Sequence, residues 1–272
     1  MCAKVMRQLC AILALFLLVV PSTSALVDDS EQEHYLKRTI LVEERTAIWC
    51  ESCAEIDPEL ELVAKSHGAR TTIVGIHVDD AFANDASLKR IEYQNLNNNG
   101  TYGTPTFFVD GLKTAEGYDA WSDVQQRILS QENKRGSPDD MYFEFSNDTF
   151  LLPTPEEGQI SLMILEHEKK VPIDAENPGE KTRDRVLIGL IIKDTNGNES
   201  YYGDTTLPDV WSVVMVHEPA EGGEPWGVVE ISNRDFEDGD ENYLLIIVIL
   251  FLILGIYLVF IHSEKSLIPE EE

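Results

Sequence analysis

Two cysteines three positions apart, Cys50 and Cys53, lie where an apolar run gives way to a segment of helical spacing. Upstream, Thr39-Ile40-Leu41-Val42 suits a strand buried on both faces. Downstream, Ile56, Leu60, Val63 and Ala64 recur at three- and four-residue intervals, one face of an amphipathic helix that runs from Cys53 to His67 and contains Pro58. A strand ending and a helix beginning around one cysteine confine the chain to a strand–turn–helix unit. Such a unit aims the helix's N-terminal amides and positive dipole end at the Cys50 sulfur, which favours the thiolate. Cys50 is then the nucleophile, and Cys53, one turn in, the resolving thiol. A structural zinc site needs about four ligands, and there is no second Cys pair. A structural staple is a weak explanation, because so small a ring constrains the unfolded chain very little.

The two ends of the chain bear on where this pair works. Lys4 and Arg7 precede the apolar run Leu9 to Val20, and Pro21-Ser22-Thr23-Ser24-Ala25 closes it with small residues, the pattern of a secretory leader at residues 1–25. Its removal takes away Cys2 and Cys10 and leaves Cys50 and Cys53 as the mature chain's cysteines. It also removes two basic residues and no acid, so a formal charge of −28 becomes more negative still. That charge repels nucleic acid, and no nucleic-acid role is expected. Tyr243 to Ile261 is an uncharged apolar stretch; at ~1.5 Å per residue it nearly crosses a hydrocarbon layer of about 30 Å and reads as a transmembrane helix. Residues 262–272 are then a cytoplasmic tail, and residues 26 to 242 lie on the extracytoplasmic side of a cell membrane.

Between these ends, strand and helix alternate. Thr71 to Val78 is β-rich, Ala86 to Leu96 helical, Thr106 to Val109 a strand that closes on the turn former Asp110-Gly111, and Tyr118 to Gln131 helical. The pattern is that of an α/β unit. With Trp49-Cys50-Glu51-Ser52-Cys53, Pro58 and Gly103-Thr104-Pro105-Thr106, residues 36–135 resemble a thioredoxin-fold domain. The resemblance implies a protein thiol-disulfide oxidoreductase with Cys50 and Cys53 as its redox-active pair. It implies a cis bond at Pro105 facing the cysteines, and client contacts at Trp49, Thr104 and Pro105. It also places Glu44, six residues before Cys50, where thioredoxin has a buried acid that moves a proton for the second thiol. Glu51-Ser52 between the cysteines departs from the Gly-Pro of thioredoxin.

After Gly136-Ser137-Pro138 the composition changes. Met141 to Phe145, Gln159 to Leu165, Val186 to Lys193, Val210 to Val216 and Val228 to Ile231 are strand-like, and Asn196-Gly197 marks a hairpin. These predict a small antiparallel β-sandwich domain at 139–235. His167 and His217 end two of the strands and are read as surface residues, so no metal and no cofactor is expected. Asn99, Asn147 and Asn198 begin glycosylation-type triplets. The expected protein is thus a membrane-anchored oxidoreductase acting on the disulfides of exported proteins and recycled by a separate membrane redox partner. Two other roles use the same residues: an interaction protein with a non-catalytic thioredoxin-like scaffold, and a copper-delivery protein using the Cys pair.

Overall fold

In the computed structural model, β1 (Ile40–Thr46) runs parallel to β2 (Thr71–His77) and antiparallel to β3 (Thr106–Val109), which turns into β4 (Leu112–Glu116). The structure describes residues 39–66, 71–98, 100–132, 141, 144–146 and 149–234. Three helices stand among the described residues: α1 (Glu51–Ser66), α2 (Asp85–Asn95) and α3 (Ala120–Glu132). Asp110 and Gly111 both take positive φ, 52° and 73°, and this makes the tight β3–β4 reversal that an Asp-Gly pair permits.

Alternation along β1 sorts the helices. Ile40 and Val42 pack with Ile56, Leu60 and Val63 of α1 and with Val124 and Ile128 of α3. Leu41 points the other way and joins Val74, Ile76 and Ala86 of α2. A strand buried on both faces needs apolar residues at consecutive positions, which Ile40-Leu41-Val42 supplies.

The second half of the chain does not form the expected β-sandwich. Its long strands β7 (Gln159–Glu166), β10 (Val186–Asp194), β12 (Trp211–Glu218) and β13 (Gly227–Ser232) continue the first sheet. The result is one nine-stranded mixed sheet in the order β13-β12-β7-β10-β2-β1-β3-β4, with β11 (Glu199–Gly203) paired to β10. The join is narrow: β10 meets β2 in parallel at Val186 and Gly75, where Gly75 N–H donates to Arg185 O at 2.8 Å. A Cβ on residue 75 would stand 3.2 Å from that oxygen, so glycine admits the incoming strand. The added strands are apolar on both faces. Ile160, Leu162 and Ile164 point to one side, and Met163 and Leu165 to the other beside Val74 and Ile76. This two-sided burial belongs to a central position in a covered sheet rather than to a free-standing sandwich.

Helix α2 covers the seam. Its N-cap Asn84 accepts from Ala86 and Ser87 N–H and donates through Nδ2 to Leu187 O at 2.8 Å, so the cap is tied to β10. Arg90 of α2 is buried, 1% exposed, and donates to Glu43 of β1 (2.5 Å) and Glu218 of β12 (2.6 Å), bridging the two halves of the sheet. Two short ladders complete the description, β5 (Glu144–Ser146) with β6 (Thr149–Leu151), and β8 (Lys169–Lys170) with β9 (Thr182–Arg183). The leader expected at 1–25 and the transmembrane helix expected at 243–261 lie outside the described residues. Among the described residues no helix is long and apolar enough to cross a membrane.

Candidate functional site

The loop from Ala47 to Cys50 leaves β1 and is held by the loop that follows β2. Asp80 is the clamp: its carboxylate accepts from Ile48 N–H (2.7 Å), Phe82 N–H (2.8 Å) and Ala83 N–H (3.0 Å), and His77 Nδ1 lies 2.6 Å from it. Burial pushes the Asp80 carboxyl up, but His77 and the amides outweigh it and hold it below the usual carboxylate range. Trp49 adds a second tie, its indole N–H donating to Asp79 O at 3.2 Å while the ring stays 45% exposed.

Helix α1 therefore starts at Glu51, and Cys50 occupies its cap. Cys53 N–H donates to Cys50 Sγ at 3.1 Å, as the first-turn amide of a helix does to its cap. Cys50 and Cys53 are joined in a disulfide, packed against Ala47 and Val78. Both cysteines are buried, Cys50 at 5% exposed and Cys53 at 1%. Thr104–Pro105 is a cis peptide. The register Arg45↔Thr106 puts it beside the end of β1 from which the cysteine loop departs. Pro105 is buried and Thr104 half-buried.

Glu43 and Glu44 are both buried, and strand alternation separates their roles. Glu43 faces α2 and pairs with Arg90. Glu44 faces α1 and lines a cavity of about 230 Å³ that also touches Thr46, Ala54, Asp57, Pro58 and His77. Its Oε1 is buried and makes no hydrogen bond to any protein group. Burial and then the neighbouring Asp57 raise the Glu44 carboxyl well above its usual range, against the pull of Arg185 and Arg183.

The far wall of this cavity comes from the segment around β9 and the start of β10. Gly179 lies against Ala54, where an added Cβ would approach Ala54 Cβ to 2.9 Å. Arg183 Nε stands 3.4 Å from Asp57, and Arg185 pairs with Glu61, which Arg234 also holds at 2.6 Å. Burial would raise Glu61, yet Arg185 and Arg234 keep it below its usual range. Asp57 goes the other way: burial lifts it further than Arg183 and Arg185 lower it.

The sequence-derived set Glu44, Trp49, Cys50, Cys53, Thr104 and Pro105 thus falls at one end of β1 or under α1. Asp57, Arg183 and Arg185 escaped it. Asp57 follows Cys53 by one helical turn and was legible in principle, whereas the arginines come from a region read as a separate domain. One reading is corrected. His167 is buried rather than at the surface, 2.8 Å from Ser212 Oγ and 3.5 Å from Asp184. Among the described residues no group of three or more His, Cys, Asp or Glu side chains could hold a metal ion.

No family model matches the sequence, and no curated protein matches it. Two solved structures are similar in fold. HBP35 of Porphyromonas gingivalis superposes with a TM-score of 0.51 at 14% identity, over 76% of this chain and 79% of that one. Protein AGR_C_4864 from Agrobacterium tumefaciens gives 0.50 at 16% identity, over 73% and 96%. At such identities the likeness concerns the fold alone.

Proposed function

We propose that this chain is a thioredoxin-like protein thiol-disulfide oxidoreductase that works on exported proteins outside the cytoplasm, tethered through the apolar stretch 243–261. The observation that carries the reading is the Cys50–Cys53 disulfide at the first turn of α1, with the exposed Trp49 next to Cys50 along the chain. Cys50 as thiolate attacks a client disulfide, with the helix N-terminus stabilising its charge. Cys53 then displaces the client and re-forms the bond to Cys50. Trp49, Thr104 and Pro105 offer the client apolar and backbone contacts around the sulfur. A membrane redox partner returns the pair to its starting state, since the mature chain keeps no other cysteine to do so.

The test is reduction of insulin by the full chain in the presence of a small thiol reductant. The wild type should accelerate precipitation of the insulin chains well above the reductant alone, and Cys50→Ser should fall to that background. Equal rates for the two proteins would overturn the reading.

A further inference from the structure

Of the three Asn-X-Ser/Thr triplets, Asn198-Glu199-Ser200 falls wholly within the described residues, while Asn99 and Asn147 lie outside them. It stands where β10 turns back into β11. Gly197 takes a φ of 80° and closes the reversal: its N–H donates to Asp194 O at 3.0 Å, and Asp194 N–H donates to Asn198 O at 3.0 Å. Asn198 and Ser200 are both exposed at this hairpin, and the residue between them is not proline. A triplet of this kind on an exposed turn is what an asparagine-linked sugar needs of its acceptor.

The turn tolerates the sugar. Asn198 Nδ2 donates to Asp194 Oδ2 at 2.9 Å, and its backbone N–H donates to Asp194 Oδ1 at 2.8 Å. A carboxamide has two N–H donors. N-linkage replaces one and keeps the other, so the bond to Asp194 survives. The strand that follows gains from cover. Among the described residues β11 pairs with β10 alone, from Glu199 opposite Lys193 to Gly203 opposite Gly189. Its outer edge therefore presents free backbone donors and acceptors, and Tyr201 within it is 59% exposed. An open edge of this kind recruits strands from other chains, and native proteins cover or blunt it. A bulky, hydrated group attached one residue before β11 does so.

We propose that Asn198 carries an N-linked glycan that shields the open edge of β11. This rests on the export half of the reading above, since such sugars are added to exported chains. In the transfer, Asn198 Nδ2 attacks the anomeric carbon of a lipid-phosphate-linked sugar. A C–N bond forms, the bond from that carbon to the phosphate oxygen breaks, and the lipid phosphate leaves with the electron pair. The amide nitrogen gives up one proton, and nothing is oxidised or reduced.

The test uses the full chain purified from its own cell. Mass spectrometry should find the peptide containing Asn198 heavier by a sugar chain attached to that residue. Asn198→Gln and Ser200→Ala should each restore the unmodified mass. Because Ser200→Ala keeps the asparagine, loss in both variants ties the modification to the triplet rather than to an unrelated adduct. A wild-type peptide found only with bare Asn198 overturns the site, as does a sugar that persists in Ser200→Ala. Light scattering reads the shielding: Ser200→Ala, which keeps the bonds of the turn, should self-associate at a lower concentration than the wild type, and equal behaviour overturns the shielding. A chain that reduces insulin with Asn198 bare loses this site and keeps the redox reading. One that carries the glycan and leaves insulin untouched keeps the site and loses the redox reading.

Discussion

At the scale of single residues, the pair Glu43-Glu44 shows how little separates an ion-paired acid from one that lines a cavity. Both are buried on β1, one against a guanidinium and the other against a cavity, and only the two-residue repeat of the strand assigns them. The raised Glu44 carboxyl has a consequence for stability. Between its ordinary value of ~4.3 and its higher folded value, the native chain holds a proton that the unfolded chain has released. Glu44 therefore costs the fold nothing in acid and progressively more as pH rises through that interval. Glu44→Gln should lose less stability than the wild type as pH rises above the ordinary glutamate range, read in urea titrations. Parallel pH profiles for the two would contradict the assignment. The cysteines, Trp49 and the Thr104–Pro105 pair belong to short motifs read along the chain, whereas Glu44 was reached only through its place six residues before Cys50, with Glu43 beside it equally open. Arg183 and Arg185 were not, since they reach α1 from more than a hundred residues away and carry no local pattern.

At the scale of elements, α2 decides whether the sheet is one or two. It lies across the seam between β2 and β10, and its Arg90 donates at once to Glu43 of β1 and Glu218 of β12. A buried guanidinium between two buried carboxylates adds little net stability against a well-packed apolar alternative, yet its loss alone strands both charges. Arg90→Leu should destabilise the chain by ~3–5 kcal/mol, read from the urea midpoint at unchanged slope. A cost below about 1 kcal/mol would mean that the carboxylates find other partners. The elements themselves were largely visible beforehand. The helix expected over Ala86 to Leu96 is Asp85–Asn95, and the strands expected over Gln159 to Leu165 and Val228 to Ile231 stand at Gln159–Glu166 and Gly227–Ser232. What the sequence pattern left open was their partnership. Apolar runs such as Leu162 to Leu165 suit a sandwich core and a central sheet strand equally, and a single bridge at Gly75 leaves no motif.

At the scale of the whole molecule, the later strands complete the sheet that carries the cysteines. Cutting the chain after Gly136 removes β7, β10, β12 and β13, uncovering one edge of β2 and the apolar side chains Leu41, Val74 and Ile76. At ~2 kcal/mol each, those three residues alone represent about 6 kcal/mol of burial, a large part of the ~5–15 kcal/mol that holds a typical fold. The truncated chain should bind hydrophobic dyes and unfold without a sharp urea transition, whereas a steep, two-state transition would show the first half to be independent. The same dependence explains why one wall of the cavity beneath α1 comes from residues 180–185: the part of the chain that completes the sheet also encloses the buried Glu44. The central claim remains that Cys50 forms a transient bond to client sulfur which Cys53 resolves. Cys53→Ala, expressed as the full chain in its own cell, should accumulate reductant-sensitive adducts with exported proteins. Mass spectrometry should place each adduct on Cys50, and Cys50→Ser in the same chain should abolish them. A Cys53→Ala chain that stays free of adducts, or carries them only through Cys2 or Cys10, would contradict the account.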